Sequence, residues 1–227
     1  MLYLLNLEQM EDRWIAHAPA LPGCFSSAET REAAVAAAPQ AIADHRAWLR
    51  AHGEEAPDVP VQVEVDEVHR RWGADLADVE ASEVNAFFAS DREPLTGPEL
   101  AEALRLLDWN RADLMASIEG LSPDDLAREF EPGWSIQRIL HHIGRAEWWY
   151  LDRLSLAFPR EDVPEDASAR LEKVRSYFLT VVPTLVGDDR LAETEMETWS
   201  PRKMLRRALW HERDHTQHIL QFRQKLR

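Results

Sequence analysis

His211 and His215 stand four residues apart within the run from Trp210 to His218. Two imidazoles one turn apart on a helix share a face and can reach a single metal ion. A helix is the expected setting, because Met204, Leu205, Ala208, Leu209, Ile219, Leu220 and Phe222 recur at helical spacing and no Pro or Gly follows Pro201. Such a pair also arises as two polar residues on a solvated or core-facing stripe. What weighs toward a metal is a second histidine-bearing segment upstream. There Pro132 and Gly133 break the chain, Ser135 is a good N-cap, and Ile136, Ile139, Leu140 and Ile143 mark an apolar face beside His142. A helix bundle can set His142 opposite His211 and His215, giving three imidazoles from two helices. Three neutral imidazoles leave positions open on a divalent ion, as catalytic rather than closed structural sites do. The donor set suits zinc, nickel, iron or manganese alike.

The neighbours of these histidines carry weaker signals. His141 is one step off the His142 face and reads as a neighbour rather than a ligand. Glu147 lies five residues beyond His142, about 140° around a helix, and reads as a supporting or surface residue. His218 shares a face with His211 and His215, where it can line a pocket, shuttle a proton or simply pack. Glu212 and Asp214 flank the ligands but point off their face. Eight basic residues between Arg202 and Arg227 face only Glu212 and Asp214. They read as a solvated face favoured by the helix dipole, with anion attraction by Arg206 or Arg207 as the alternative. No Gly-rich phosphate loop is present, so no nucleotide cofactor is implied.

The elements that must position this chemistry fall into two modules. Residues 95–227 read as a helical bundle. Thr96-Gly97-Pro98-Glu99 forms a capping box, and Leu100, Ala103, Leu104, Leu107 and Leu114 follow at helical intervals. A further long helix is expected from near Ala167 through Leu171, Val174, Tyr177, Phe178 and Val181, kinked or ended at Pro183. Ser200-Pro201 starts the last one. Residues 1–72 read differently. Leu2 to Leu7 and Arg13 to Ala18 are strands joined by a polar turn from Glu8 to Asp12, and Phe25 to Ser27 follow a tight corner. A helix capped by Thr30 runs to Gly53, and Val59 to Val65 alternate as a strand. Residues 73–94 form an acidic connecting segment. His17, His45, His52 and His69 show no ligand spacing and read as ordinary polar positions, and Cys24 as a small packing residue or a reactive thiol.

Two family resemblances attach to these residues. Trp134-Ser135, His142 followed by Ile143 and later Glu147, and the closing His211-x-x-x-His215 resemble the DinB-like family over roughly residues 95 to 227. That resemblance implies an up-down-down-up four-helix bundle with a divalent metal held by His142, His211 and His215 over a small pocket. It also implies a low-molecular-weight thiol such as bacillithiol or mycothiol as one partner, with thiol transfer, isomerisation or hydrolysis of a small electrophile as the chemistry. Leu21-Pro22-Gly23-Cys24, Thr30 to Ala33 and Ala41-Ile42 resemble the HicB-like antitoxin fold. No basic DNA-reading segment follows it, so a structural or ligand-gating accessory role is expected. The fold class is thus α+β, a small β-α-β HicB-like domain ahead of a DinB-like four-helix bundle.

Composition bounds the rest. A formal net charge of −15 argues against nonspecific binding to nucleic acid. A single cysteine excludes an intramolecular disulfide framework and fits a reducing compartment. The stretch from Met1 to Glu8 is too soon charged for a signal peptide, and no run approaches the roughly 18 apolar residues of a membrane helix. A cytoplasmic protein with no membrane partner is expected. Nine tryptophans, Trp148, Trp149 and Trp210 among them, suit either a pocket wall or a subunit contact, which leaves a homodimer open. Against the metalloenzyme stand two other readings, a regulatory protein-binding module and a structural dimer.

Overall fold

Alternate side chains of the opening strand enter one apolar core. β1 (Leu2–Met10) buries Tyr3, Leu5 and Leu7 on one face, the period-two pattern of a strand. The computed structural model describes residues 1–10, 13–69, 85–131, 133–194 and 197–226. They form two compact units, Met1–Ser90 with Glu193–Thr198, and Asp91–Ala192 with Trp199–Arg227. Of the turn expected from Glu8 to Asp12, Glu8 to Met10 instead continue the first strand, while Glu11-Asp12, the break at Pro132 and residues 73–84 of the acidic connecting segment lie outside the described residues.

In the first unit, β1 pairs antiparallel with β2 (Arg13–His17), and β2 pairs antiparallel with β3 (Phe25–Ala28). On its other edge β1 pairs in parallel with β4 (Gln62–His69). A parallel partner needs a crossover, which α1 (Arg31–Ala51) supplies. The Thr30 hydroxyl accepts the Ala33 N–H at 3.2 Å to start α1, and Gly53, at φ +85°, takes the left-handed conformation that ends it. Ala34, Ala38 and Ile42 lie on the sheet with Leu5, Leu7, Ala16 and Cys24 in one core. Cys24 is thus a buried packing residue.

β4 begins at Gln62, later than the alternation from Val59 suggests. Pro60 has no N–H for a ladder, and its carbonyl instead accepts the terminal amine at 2.6 Å. On the opposite sheet face, His17 Nε2 lies 2.7 Å from Glu8 Oε1, and Glu8 Oε2 accepts the Ala86 N–H at 3.1 Å. His17 and His45 are therefore not ordinary polar positions, because both are buried. For His17 the adjoining carboxylate makes that burial tolerable.

The second unit holds four long helices: α2 (Gly97–Ile118), α4 (Ile136–Arg153), α5 (Ala167–Val181) and α6 (Pro201–Gln224). Thr96 and Glu99 form the expected capping box on α2. A five-residue helix, α3 (Pro123–Ala127), and a short ladder of β5 (Glu129–Glu131) with β6 (Trp134–Ser135) connect α2 to α4. Sequence periodicity missed all three, which are too short to show a period. α5 stops at Val181, where a 3₁₀ turn carries the chain past Pro183. Leu114, Ile136, Ile139, Leu140, Ile143, Leu171, Ile219 and Phe222 form one core shared by the four helices.

Gly144 marks a close approach of α4 to α5. A Cβ added there would stand 2.9 Å from Arg170 Cγ and 3.4 Å from the Leu171 nitrogen. Among the described residues no helix is long and apolar enough to cross a membrane.

Candidate metal centre

The centre is assembled by two N-caps. The Ser135 hydroxyl accepts the Arg138 N–H at 3.1 Å and starts α4 so that His142 falls two turns in. The Ser200 hydroxyl accepts the Lys203 N–H at 3.0 Å and donates to the Asp91 carbonyl at 2.6 Å, fixing the start of α6. Three turns on, His211 and His215 share one face of α6.

His211 Nε2 lies 3.0 Å from His142 Nε2 and 3.1 Å from His215 Nε2. The three side chains offer ligand atoms all within 4.8 Å of one another, and no other group of three among the described residues does so. His211 is buried, while His142 and His215 are half-buried. A single imidazole nitrogen carries either one proton or one lone pair in its plane. His211 Nε2 therefore cannot form good hydrogen bonds to both neighbours, whereas three lone pairs converging on a cation have no such conflict. The two separations at His211 agree with this: nitrogens about 2.1 Å from one ion, and roughly at right angles, stand about 3.0 Å apart. The residues present fit a divalent ion.

Aromatic rings enclose the triad. Trp134 presents its edge to His142, with centroids 5.6 Å apart, and stacks on His215 at 6.2 Å. Tyr150 meets His211 edge-on at 6.0 Å. Sequence reasoning used Trp134 only as a helix-start marker. Its position just before the N-cap of the His142 helix was the available signal.

The remaining neighbours sort as follows. His141 stands apart from the triad, and burial together with the positive charge of Arg170 pushes its pKa down. His218 packs on Phe222 at 4.3 Å and lies 3.6 Å from Glu131, on the Trp134 side of the centre. Arg206 is bound to the Asp91 carboxylate at 2.7 and 3.0 Å, and Arg207 is buried over the Trp210 ring at 4.1 Å. Neither belongs to a solvated face.

Glu147 is not a surface residue. Its Oε1 accepts Arg175 Nε at 2.6 Å, and its Oε2 lies 3.7 Å from Arg111 Nη2. Glu212 completes the group, accepting Arg111 Nε and Arg175 Nη2 at 2.5 Å each. Arg111 and Arg175 escaped sequence reasoning because single charges on amphipathic helices read as solvated. Burial pushes the Glu147 carboxyl up, against the pull of Arg175 and Arg111. Burial pulls Arg175 down, but Glu147 and Glu212 more than reverse this and hold the guanidinium above its usual value. We take Glu147 as a carboxylate, because protonating it would leave the buried Arg175 Nε facing a poorer acceptor.

Fold and site together define a helix-bundle protein with a three-histidine candidate metal centre. The chain belongs to the DinB superfamily, which it matches over residues 106–219. Among solved structures it is similar to TT2238, a four-helix bundle protein, at 23% identity over 52% of this chain and 96% of that one, with a TM-score of 0.42. It is also similar to YfiT from Bacillus subtilis, described as a probable metal-dependent hydrolase with an unusual four-helix bundle topology. That likeness has 16% identity over 60% of this chain and 91% of that one, with a TM-score of 0.47. No curated protein matches the chain.

Proposed function

We propose that the chain is a divalent-metal-dependent enzyme acting on a small electrophile by thiol transfer or hydrolysis, with His142, His211 and His215 as the metal ligands. The observation that carries this reading is the convergence of three imidazole nitrogens from two helices, at ligand spacing. A divalent ion held there would supply Lewis-acid chemistry, lowering the pKa of a water or thiol and polarising the electrophile. The protein's own contribution is to hold three neutral donors in place, leave the remaining positions to substrate, and wall the centre with Trp134 and Tyr150. The first unit is part of the same proposal as a HicB-like accessory domain, supported by its β, β, β, α, β order.

Elemental analysis of the untagged protein tests the ligand set. Near-stoichiometric metal in the wild type and in His141→Ala, lost in His142→Ala and His211→Ala, is the expected outcome. Wild-type protein that takes up no metal even after reconstitution refutes the reading. With metal in place, consumption of a small thiol alongside the electrophile separates transfer from hydrolysis.

A further inference from the structure

Four charges beside the centre, with Glu147, Arg175 and Glu212 buried and Arg111 half-buried, form a closed ring of alternating sign. Each long helix of the bundle contributes one: Arg111 from α2, Glu147 from α4, Arg175 from α5 and Glu212 from α6. Going round, Arg111 meets Glu212 at 2.5 Å, Glu212 meets Arg175 at 2.5 Å, Arg175 meets Glu147 at 2.6 Å, and Glu147 returns to Arg111 at 3.7 Å. The free guanidinium arms are also engaged. Arg111 Nη1 donates to the Leu171 carbonyl on α5 at 3.0 Å, and Arg175 Nη1 donates to the Leu107 carbonyl on α2 at 2.9 Å. Both carboxylates are almost fully buried.

Stability does not explain such a ring. Withdrawing buried charges from water is expensive, and well-packed apolar side chains of similar volume commonly do as well or better. What a ring of planar forks supplies is geometry, since each guanidinium donates to its partners in few orientations. The placement gives that geometry a use. Glu212 directly follows His211 on α6, and Glu147 lies five residues beyond His142 on α4, so the two carboxylates sit on the two helices that carry the triad. Arg175 holds both carboxylates at once, through Nε to Glu147 and Nη2 to Glu212. An apolar core alone tolerates small sliding and rotation of helices, whereas ligand atoms must be placed to within about 0.5 Å.

We propose that the Arg111–Glu212–Arg175–Glu147 ring is the positioning device of the metal centre, setting the register of α4 against α6 and so the affinity of the three histidines for their ion. This inference rests on the metal-binding reading above. Arg175 is its keystone, and the fork rather than the charge is the part that matters.

The test is zinc affinity by competition with a chromophoric chelator, together with the cobalt(II) absorption spectrum and urea unfolding of the metal-free protein. Arg175→Lys keeps the charge but cannot reach both carboxylates with a planar fork. It is expected to bind zinc at least about tenfold more weakly, the low end of the range for groups that orient ligands, and to shift the cobalt bands. Phe178→Leu, a core substitution on the same helix, is the control, expected to lower the urea midpoint while leaving zinc affinity within about twofold. Affinity and spectrum unchanged in Arg175→Lys overturn the inference, as does an equal loss of affinity in Phe178→Leu. Should Arg175→Lys not fold, Glu147→Gln is judged by the same criteria. A wild-type protein that binds no zinc or cobalt withdraws the proposed function and this inference with it. A metal-binding wild type with indifferent variants overturns this inference alone.

Discussion

Replacing Gly144 by alanine should change the sign of its effect according to what stands at position 170. Glycine inside a helix is disfavoured by about 1 kcal/mol relative to alanine, so on propensity alone Gly144→Ala stabilises α4. The structure opposes this. The new methyl would stand 2.9 Å from Arg170 Cγ, closer than real contacts come, and 3.2 Å from its Cδ, tighter than most. Arg170 cannot simply swing away, because its Nε donates to the Pro164 carbonyl at 2.7 Å. Relief means giving up that bond or parting α4 from α5, and overpacking of this kind costs about 1–3 kcal/mol. The net expectation for Gly144→Ala is destabilisation by about 1 kcal/mol. In an Arg170→Ala background the clashing Cγ and Cδ are gone, and only the 3.4 Å contact to the Leu171 nitrogen persists. There the same substitution should stabilise by up to about 1 kcal/mol. Urea midpoints of the four proteins in a double-mutant cycle read this directly, with the m-value checked for constancy. Stabilisation by Gly144→Ala in the wild-type background, or the same sign in both backgrounds, refutes the close-approach argument.

Two further outcomes follow from packing and charge. Phe222 is fully buried and stacks on Phe130 with centroids 4.6 Å apart, so Phe222→Ala should lower stability by about 3–5 kcal/mol in urea unfolding. A loss below about 1 kcal/mol would show that α6 is not anchored there. Glu99, hydrogen-bonded chiefly to Arg202, has its carboxyl held down to about 2 from an ordinary 4.5. A depressed folded-state value adds stability that is present above about pH 4.5 and lost as pH falls toward 2. The pair is largely exposed, so its worth is at most about 1 kcal/mol. The gap in urea midpoint between wild type and Arg202→Met should therefore narrow from pH 5 to pH 3, and a gap that widens would be inconsistent with the pair.

Capping residues made much of this fold legible. Thr30, Thr96, Ser135 and Ser200 each mark a helix start in sequence, and each side chain accepts the N–H three residues on. The triad was legible for a related reason. An i, i+4 pair on one capped helix and a histidine beside the apolar face of another are residues that a helix bundle can bring together. Of the two readings of Glu147, supporting or surface, burial removes the second, and the apolar stripe already carries the reason. Ile136, Leu140, Ile143 and Leu151 continue through position 147, which puts that carboxylate on the core side. Its partners Arg111 and Arg175 lie on separate helices, and only tertiary packing reveals that their charges meet. The short elements α3, β5 and β6 are set by local turns and caps, below the length at which periodicity speaks.

The charge of the centre has its own consequence. Three neutral imidazoles subtract nothing from a bound divalent ion, and the adjacent ring of two guanidiniums and two carboxylates sums to zero. An ion held by this triad would keep its full double positive charge, unlike one bound by carboxylates. The protein around it carries a formal charge of −15. The centre would then be a local positive well in an acidic molecule, where anions gain in the last few ångströms what the wider surface denies them. Discrimination among small molecules would begin with their sign, before any contact with the walls of the site.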